Sequence, residues 1–209
     1  MDFAAARKVM VDSQVRVNDV TDRGLQAALL AVPRERFLPA DRAWSAYAEI
    51  EPEIAGGRQL MLARDLSKLL MALDARAGDS ALAMAAPYAA AVLARLGLTV
   101  TAQESGTAVF EVVGTVLAEE GVQTVTAPLT TPAAGGYDVI VCEGAVPGRL
   151  ETWLKALNVG GRMAVVERTG PAGKAVLYVQ GEQGVSRRVL FNAAPPILAE
   201  LSPEPIFAL

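Results

Sequence analysis

The stretch Asp79-Ser80-Ala81-Leu82-Ala83-Met84-Ala85-Ala86-Pro87-Tyr88-Ala89-Ala90-Ala91-Val92-Leu93-Ala94-Arg95-Leu96-Gly97 decides how this chain folds. It reads as a short buried strand, a turn and an Ala/Leu-rich helix, the unit with which an open α/β sheet begins. The turn after such a first strand ordinarily carries two or three glycines, because only glycine lets backbone pass close beneath a bound group. Here the turn is Ala85-Ala86-Pro87, with no glycine. The frame is that of a cofactor-binding sheet and the turn is not.

Downstream, the pattern alternates. Leu98 to Ala102 reads as a second strand ending near Glu104, Val109 to Glu120 as a helix, and Val122 to Ala127 as a third strand. Tyr137 to Cys142 is an apolar, β-branched run suited to a strand buried on both faces. Leu150 to Leu157 reads as a helix, and Asn158-Val159-Gly160-Gly161 as a turn into a strand from Arg162 to Val166. Ala175 to Val179 and Ser186 to Phe191, joined by Gly181-Glu182-Gln183-Gly184, predict an antiparallel edge hairpin. The Pro-rich tail from Pro195 to Leu209 is expected to pack as irregular chain.

Upstream, Asp2 to Val17 has helical spacing, with Phe3, Ala6 and Met10 on one side and Arg7, Lys8 and Asp12 on the other. A second helix follows, with Thr21 best placed to cap it, Asp22 in its first turn, and Leu25, Ala28, Leu29 and Val32 as its apolar stripe, until Pro33 ends it. Residues 40 to 58 read as a loop with a helical turn, closing at Gly56-Gly57. Leu62, Leu66, Leu69, Leu70 and Leu73 mark a third helix. The elements predict a mostly parallel sheet with helices around it and an antiparallel edge.

Composition narrows the function classes. The chain has 209 residues, 52% of them hydrophobic, and a net charge of −4. That length suits one domain with a sizeable core, and the charge gives no footprint for nucleic acid. No apolar run reaches membrane-spanning length and Met1-Asp2-Phe3 lacks the order of a signal peptide, so the default expectation is cytoplasmic. Cys142 is the only cysteine and histidine is absent. A disulfide, a thiolate metal cluster and a histidine general base are therefore outside the repertoire, and no metal site is expected.

The ordered motifs carry a likeness. Val32-Pro33-Arg34-Glu35-Arg36-Phe37-Leu38-Pro39 is similar to the VPRExFVP signature of protein-L-isoaspartate O-methyltransferases, and Met10-Val11-Asp12-Ser13-Gln14-Val15-Arg16 resembles the segment that precedes it. Tyr137-Asp138-Val139-Ile140-Val141 and Val159-Gly160-Gly161-Arg162-Met163 resemble that family's YDxIxV and PGGRL segments, and Tyr88 to Leu96 its helix after the cofactor loop. The marks span about the first 170 residues in order. The resemblance is to the short bacterial members. It implies a Rossmann-like class I methyltransferase fold: one domain over residues 1–209, with a helical N-terminal extension over 1–75 and the Rossmann-like core over 79–209.

It also implies S-adenosylmethionine as cofactor and the side-chain carboxyl of isoaspartyl residues as methyl acceptor. Aligned on Tyr88, however, Leu82-Ala83-Met84-Ala85-Ala86-Pro87-Tyr88 lacks every loop glycine and the acidic residue of the family's [LV]-[DE]-[IV]-G-x-G-x-G-Y pattern. The family's G-Q-x-[IL]-S-x-P substrate segment maps near Gly57 to Ala63, with its Ser and Pro missing. The candidate cofactor-binding residues of this degenerate site are Met84, Ala85, Tyr88, Glu104 and Glu143. Glu104 stands where a ribose-holding acid would sit, with an ordinary strand-end glutamate as the plain alternative. Glu143 leaves the carboxyl end of a strand, whereas Asp138 is expected to cap structure and Cys142 to be a small buried hydrophobe. No catalytic residue is identified. Arg34 and Arg36 are expected on the surface, paired with acidic neighbours, and Trp44 and Trp153 in packing, with a cleft-lining Trp44 as the alternative.

Three readings follow. The first is a non-catalytic pseudo-methyltransferase, without cofactor, that acts as an interaction module toward a protein partner. The second is an active S-adenosylmethionine-dependent carboxyl methyltransferase with a rearranged loop, in which positioning carries the reaction. The third is a small-molecule sensor. A site filled by Met84, Pro87 and their neighbours favours the first, and an open crevice above Met84 and Glu104 the others. The oligomeric state is left open by the sequence.

Overall fold

Strand β3 (Ser80–Met84) can lie in the interior of the sheet because every residue after Ser80 is small or apolar, and all of them are buried. In the computed structural model, which describes residues 1–202, the seven-stranded sheet has the order β5-β4-β3-β6-β7-β8-β9. Its strands are β3, β4 (Thr99–Glu104), β5 (Gln123–Thr126), β6 (Tyr137–Val146), β7 (Leu157–Arg168), β8 (Gly173–Gly181) and β9 (Gly184–Ala193). The first five run parallel, and β8 and β9 add an antiparallel edge. The chain winds outward from β3 to β5 and returns to β6 on β3's other side, so the switch point lies between β3 and β6, where open α/β sheets bind ligands.

The strand alternation separates two cores. Ala81, Ala83, Val139 and Val141 face one way, into a cluster shared with the helices α1 (Phe3–Met10), α2 (Arg23–Ala31), α3 (Ala63–Ala72), α4 (Pro87–Arg95) and α5 (Ala108–Glu119). Leu82, Met84, Ile140 and Cys142 face the other way, against Trp153, Tyr178, Leu129 and Leu198. On that second face the expected helix over Leu150 to Leu157 shortens to α6 (Glu151–Leu154), because Leu157 is already paired with Tyr137 in β7. Gly160 and Gly161 lie inside a bulged start of β7 rather than in a turn ahead of it.

The N-terminal helices follow their apolar stripes with two adjustments. α1 runs on through a π-helical turn, Val11–Val15, that buries Val11, Gln14 and Val15. Asp22, rather than Thr21, is the N-cap of α2 and accepts a 2.8 Å hydrogen bond from the Leu25 amide. Residues 40 to 58, expected to be a loop with a helical turn, do contain that turn, at Ala43–Tyr47, and also most of a short hairpin, β1 (Glu53–Ala55) and β2 (Arg58–Gln59), turned by Gly56 and Gly57 at φ 57° and 81°. Trp44 is 61% exposed and lies outside the core, against expectation, whereas Trp153 is fully buried and donates its indole N–H to Leu129 O. The edge hairpin is as read from the sequence. In the tail, Ala199–Leu201 forms a single 3-10 turn and residues 203–209 lie outside the described chain. Among the described residues no helix is long and apolar enough to cross a membrane.

Candidate functional site

The turn that breaks the glycine rule does so at a visible cost. Ala85 adopts φ 51°, the left-handed region, and is fully buried; this conformation costs an L-residue roughly 1–2 kcal/mol. Ala86 and Pro87 follow, both buried, and Pro87 at the first position of α4 brings no N–H to the helix start. Ala85→Gly is therefore expected to keep stability within about 1 kcal/mol of the parent, since relief of strain offsets the loss of a buried methyl. Chemical denaturation reads the difference, and a loss above about 2 kcal/mol would show that the methyl's packing outweighs the strain.

A carboxylate of the chain itself meets the start of α4. Strand β6 carries two more residues than β7 between the pairs Val141↔Ala164 and Ala145↔Val166, so it bulges over Cys142-Glu143-Gly144. Bulges re-aim side chains, and this one delivers the Glu143 carboxylate to the Ala89 amide at 2.7 Å and to the Met61 amide at 3.4 Å. The negative charge sits at the helix's positive end. Burial nevertheless pushes the Glu143 carboxyl up to about 7, against the opposing pull of Arg34 and those two amides.

Glu104 ends β4 and is also occupied. Arg58, from β2, donates to both of its oxygens at 3.0–3.2 Å, and the paired side chains are 7% and 2% exposed. Burial raises the Glu104 carboxyl above its ordinary value, more than the Arg58 charge lowers it. Arg58 also binds Glu200 of the tail at 2.9 Å, and Glu200 accepts from the Ser105 hydroxyl. Arg58 has no counterpart in the sequence reading, which weighed its segment only for a missing Ser and Pro.

Arg34 is the largest departure from expectation. It is 1% exposed rather than superficial. Its Nε donates to Ala46 O at 2.8 Å and its Nη2 to Met61 O at 2.6 Å, while the guanidinium lies 4.7 Å from the centre of the Tyr88 ring. Tyr88 is fully buried, stands edge-on to Phe37, and has no partner for its hydroxyl among the described residues. Burial pushes that phenol up to about 12. Arg36 does pair with Glu119 on the surface. Asp138 is structural as expected, accepting from the Ser80 amide and hydroxyl and from Asn158. Cys142 is buried, and burial raises its thiol far above its ordinary value.

The five candidates thus fall on both sides of the switch point. Met84, Ala85 and Tyr88 are packed solid, and Glu104 and Glu143 carry internal partners. Two small cavities lie beside them, one of about 100 Å³ between Arg58 to Met61, Glu143 and Gly144, and the tail from Pro195 to Glu200, and one of about 110 Å³ bordered by Arg58, Glu104, Ser105 and Glu200. Small-molecule sites typically offer about 300–1,000 Å³.

No family model matches the sequence. Two relatives named protein-L-isoaspartate O-methyltransferase are similar along most of its length. That of Methylorubrum extorquens (strain PA1) is 33% identical over 196 residues, covering 89% of this chain and 83% of the relative. That of Methylorubrum populi is 30% identical over 189 residues, covering 88% of each. Among solved structures, a putative protein-L-isoaspartate O-methyltransferase of Plasmodium falciparum, in complex with S-adenosyl-L-homocysteine, superposes with a TM-score of 0.79. It is 12% identical, and the match covers 93% of this chain and 98% of that one.

Proposed function

The chain belongs to the protein-L-isoaspartate O-methyltransferase family, and from that membership we propose that it is a non-catalytic member, a pseudo-methyltransferase that serves as an interaction module. The observation that carries this reading is the Arg58–Glu104 pair. The one acidic residue placed to hold a ribose is desolvated and bound by a guanidinium, and a buried charge pair does not give up one partner cheaply. Two further features support it. The residues of the turn do not fit S-adenosylmethionine, because Ala85 and Ala86 place buried Cβ atoms where the family's loop has glycines and Pro87 lacks a backbone N–H donor. The start of α4, where a ligand carboxylate would be welcome, already holds Glu143.

A second reading, an active carboxyl methyltransferase with a rearranged loop, is favoured by the relatives' shared name and by the cavity beside Glu143 and Gly144. Calorimetric titration with S-adenosylmethionine and S-adenosylhomocysteine separates the two. We expect no heat of binding up to millimolar ligand. Micromolar binding would overturn the non-catalytic reading, and methylation of an isoaspartyl peptide would then decide between transferase and sensor.

A further inference from the structure

Met61 stands between a buried acid and a buried cation that do not touch each other. Its amide donates to the Glu143 carboxyl at 3.4 Å, and its carbonyl accepts from Arg34 Nη2 at 2.6 Å. Glu143 comes from the β6 bulge and Arg34 from the 3-10 turn Arg34–Phe37. The other Glu143 oxygen takes the Ala89 amide at 2.7 Å. That amide belongs to the first turn of α4, whose donors lack intrahelical partners and whose N-cap, Ala86, has no side chain to offer them. Among the described residues, Glu143 is thus the sole acceptor for both amides.

The segment that Glu143 holds has little else to fix it. Leu60, Met61 and Leu62 lie between β2 and α3 in no regular element, and their amides have one backbone partner, Pro52 O for Leu60. The closed arrangement is also incompletely satisfied. Arg34 Nη1 and the Tyr88 hydroxyl are buried beside it, with the guanidinium over the Tyr88 ring, and neither has a hydrogen-bond partner among the described residues. Buried polar atoms left unpaired are costly and mark places where strain is stored.

We propose that Glu143 is a proton-controlled clasp on this segment: while its carboxyl is protonated, Leu60 to Leu62 are shut against the start of α4, and loss of that proton to solvent favours a state in which the segment lifts and Glu143 is hydrated. The reason is linkage. Burial pushes this carboxyl up to about 7 in the closed state, against an ordinary 4.5 that hydration restores. Between those values the open state binds fewer protons, so opening grows as pH rises, by roughly fiftyfold from pH 5 to 7.5. Of the groups that face Glu143, Arg34 and the two amides oppose the rise and Glu104, at the end of β4, adds to it. Burial keeps the Tyr88 phenol and the Cys142 thiol neutral in this range. Glu51, Arg58 and Glu200 stand across the cavity, the last two paired with each other. The clasp gives the crevice a moving wall, which goes beyond the reading of the site and is independent of whether a cofactor binds.

Native-state amide exchange on the full-length protein tests this. Corrected for the intrinsic rate at each pH, the Met61 and Ala89 amides are expected to exchange at least tenfold faster than amides of β3, through an opening that does not respond to urea below about 1 M. Their protection is expected to fall at least tenfold from pH 5 to 7.5, and in Glu143→Gln that pH dependence should disappear. If both amides exchange only with β3, at the same protection and the same urea dependence, the segment opens only on global unfolding and the clasp does not exist. Protection that stays flat with pH would overturn it too, as would a pH dependence that survives in Glu143→Gln and so belongs to Glu51 or Glu104. Should the variant fail to fold, the pH series on the parent decides alone. Micromolar binding of S-adenosylhomocysteine would sink the non-catalytic reading and leave these outcomes as they are.

Discussion

Arg58→Met is expected to destabilise the protein by about 3–5 kcal/mol near neutral pH, because it leaves Glu104 buried without its counter-charge. For a chain of this size that lowers the melting temperature by roughly 10 °C. The variant Arg58→Met/Glu104→Gln should regain most of the loss, since replacing both members of a buried pair costs far less than removing one. The sign of the pH dependence gives a second check. In the single variant the folded-state pKa of Glu104 lies further above its unfolded value, so the deficit is full at high pH and shrinks as pH falls toward the ordinary carboxylate range. Thermal melts from pH 5 to 8 read both effects. A single variant as stable as the double would mean that solvent reaches Glu104, which would remove the main support for a closed site.

The second large effect belongs to Glu143. Its carboxyl is raised from an ordinary 4.5 to about 7, with burial as the principal cause, Arg34 and two amides opposing it, and Glu104 adding to it. A carboxyl whose folded pKa is raised binds more protons in the folded than in the unfolded state between those values, so stability falls as pH climbs through that window. At 1.36 kcal/mol per unit the fall is about 3 kcal/mol from pH 4.5 to 7, or roughly 5–10 °C in melting temperature. Glu143→Gln retains an acceptor for the Ala89 amide and removes the titration. Its melting temperature should exceed the parent's above pH 7 and converge on it near pH 4.5. Parallel profiles for the two proteins would show that Glu143 does not titrate in this range.

The two experiments bear on one question from opposite ends of the crevice. At the Glu104 end an arginine of the β1–β2 hairpin, which the tail also grips, supplies the closure. At the Glu143 end a bulge in β6 turns a carboxylate onto the helix that would otherwise receive a ligand. Both closures are made by residues of the chain itself, which is why a bulge, a hairpin and a tail matter more to this site than the strand ends alone.

The strand–turn–helix unit at 80–95, the buried run from Tyr137 and the hairpin around Glu182-Gln183 were legible from sequence because burial on both faces, helical spacing and turn residues are local signals. The missing glycines were legible for the same reason, and the strained positive φ at Ala85 is where the turn imposes on alanine a conformation that glycine adopts freely. What local signals do not carry is pairing across the chain. Arg34 is buried because two carbonyls, Ala46 O and Met61 O, converge on it from 12 and 27 residues away. Arg58 meets Glu104 across 46 residues and Glu200 across 142. A charged side chain reads as superficial from composition alone, since burying it is costly unless partners are present. Sequence thus determined the order of the elements and the loss of the glycine turn. Only the tertiary structure decided where the charges left over would be neutralised, because long-range partners, not neighbours, set the free energy of a buried charge.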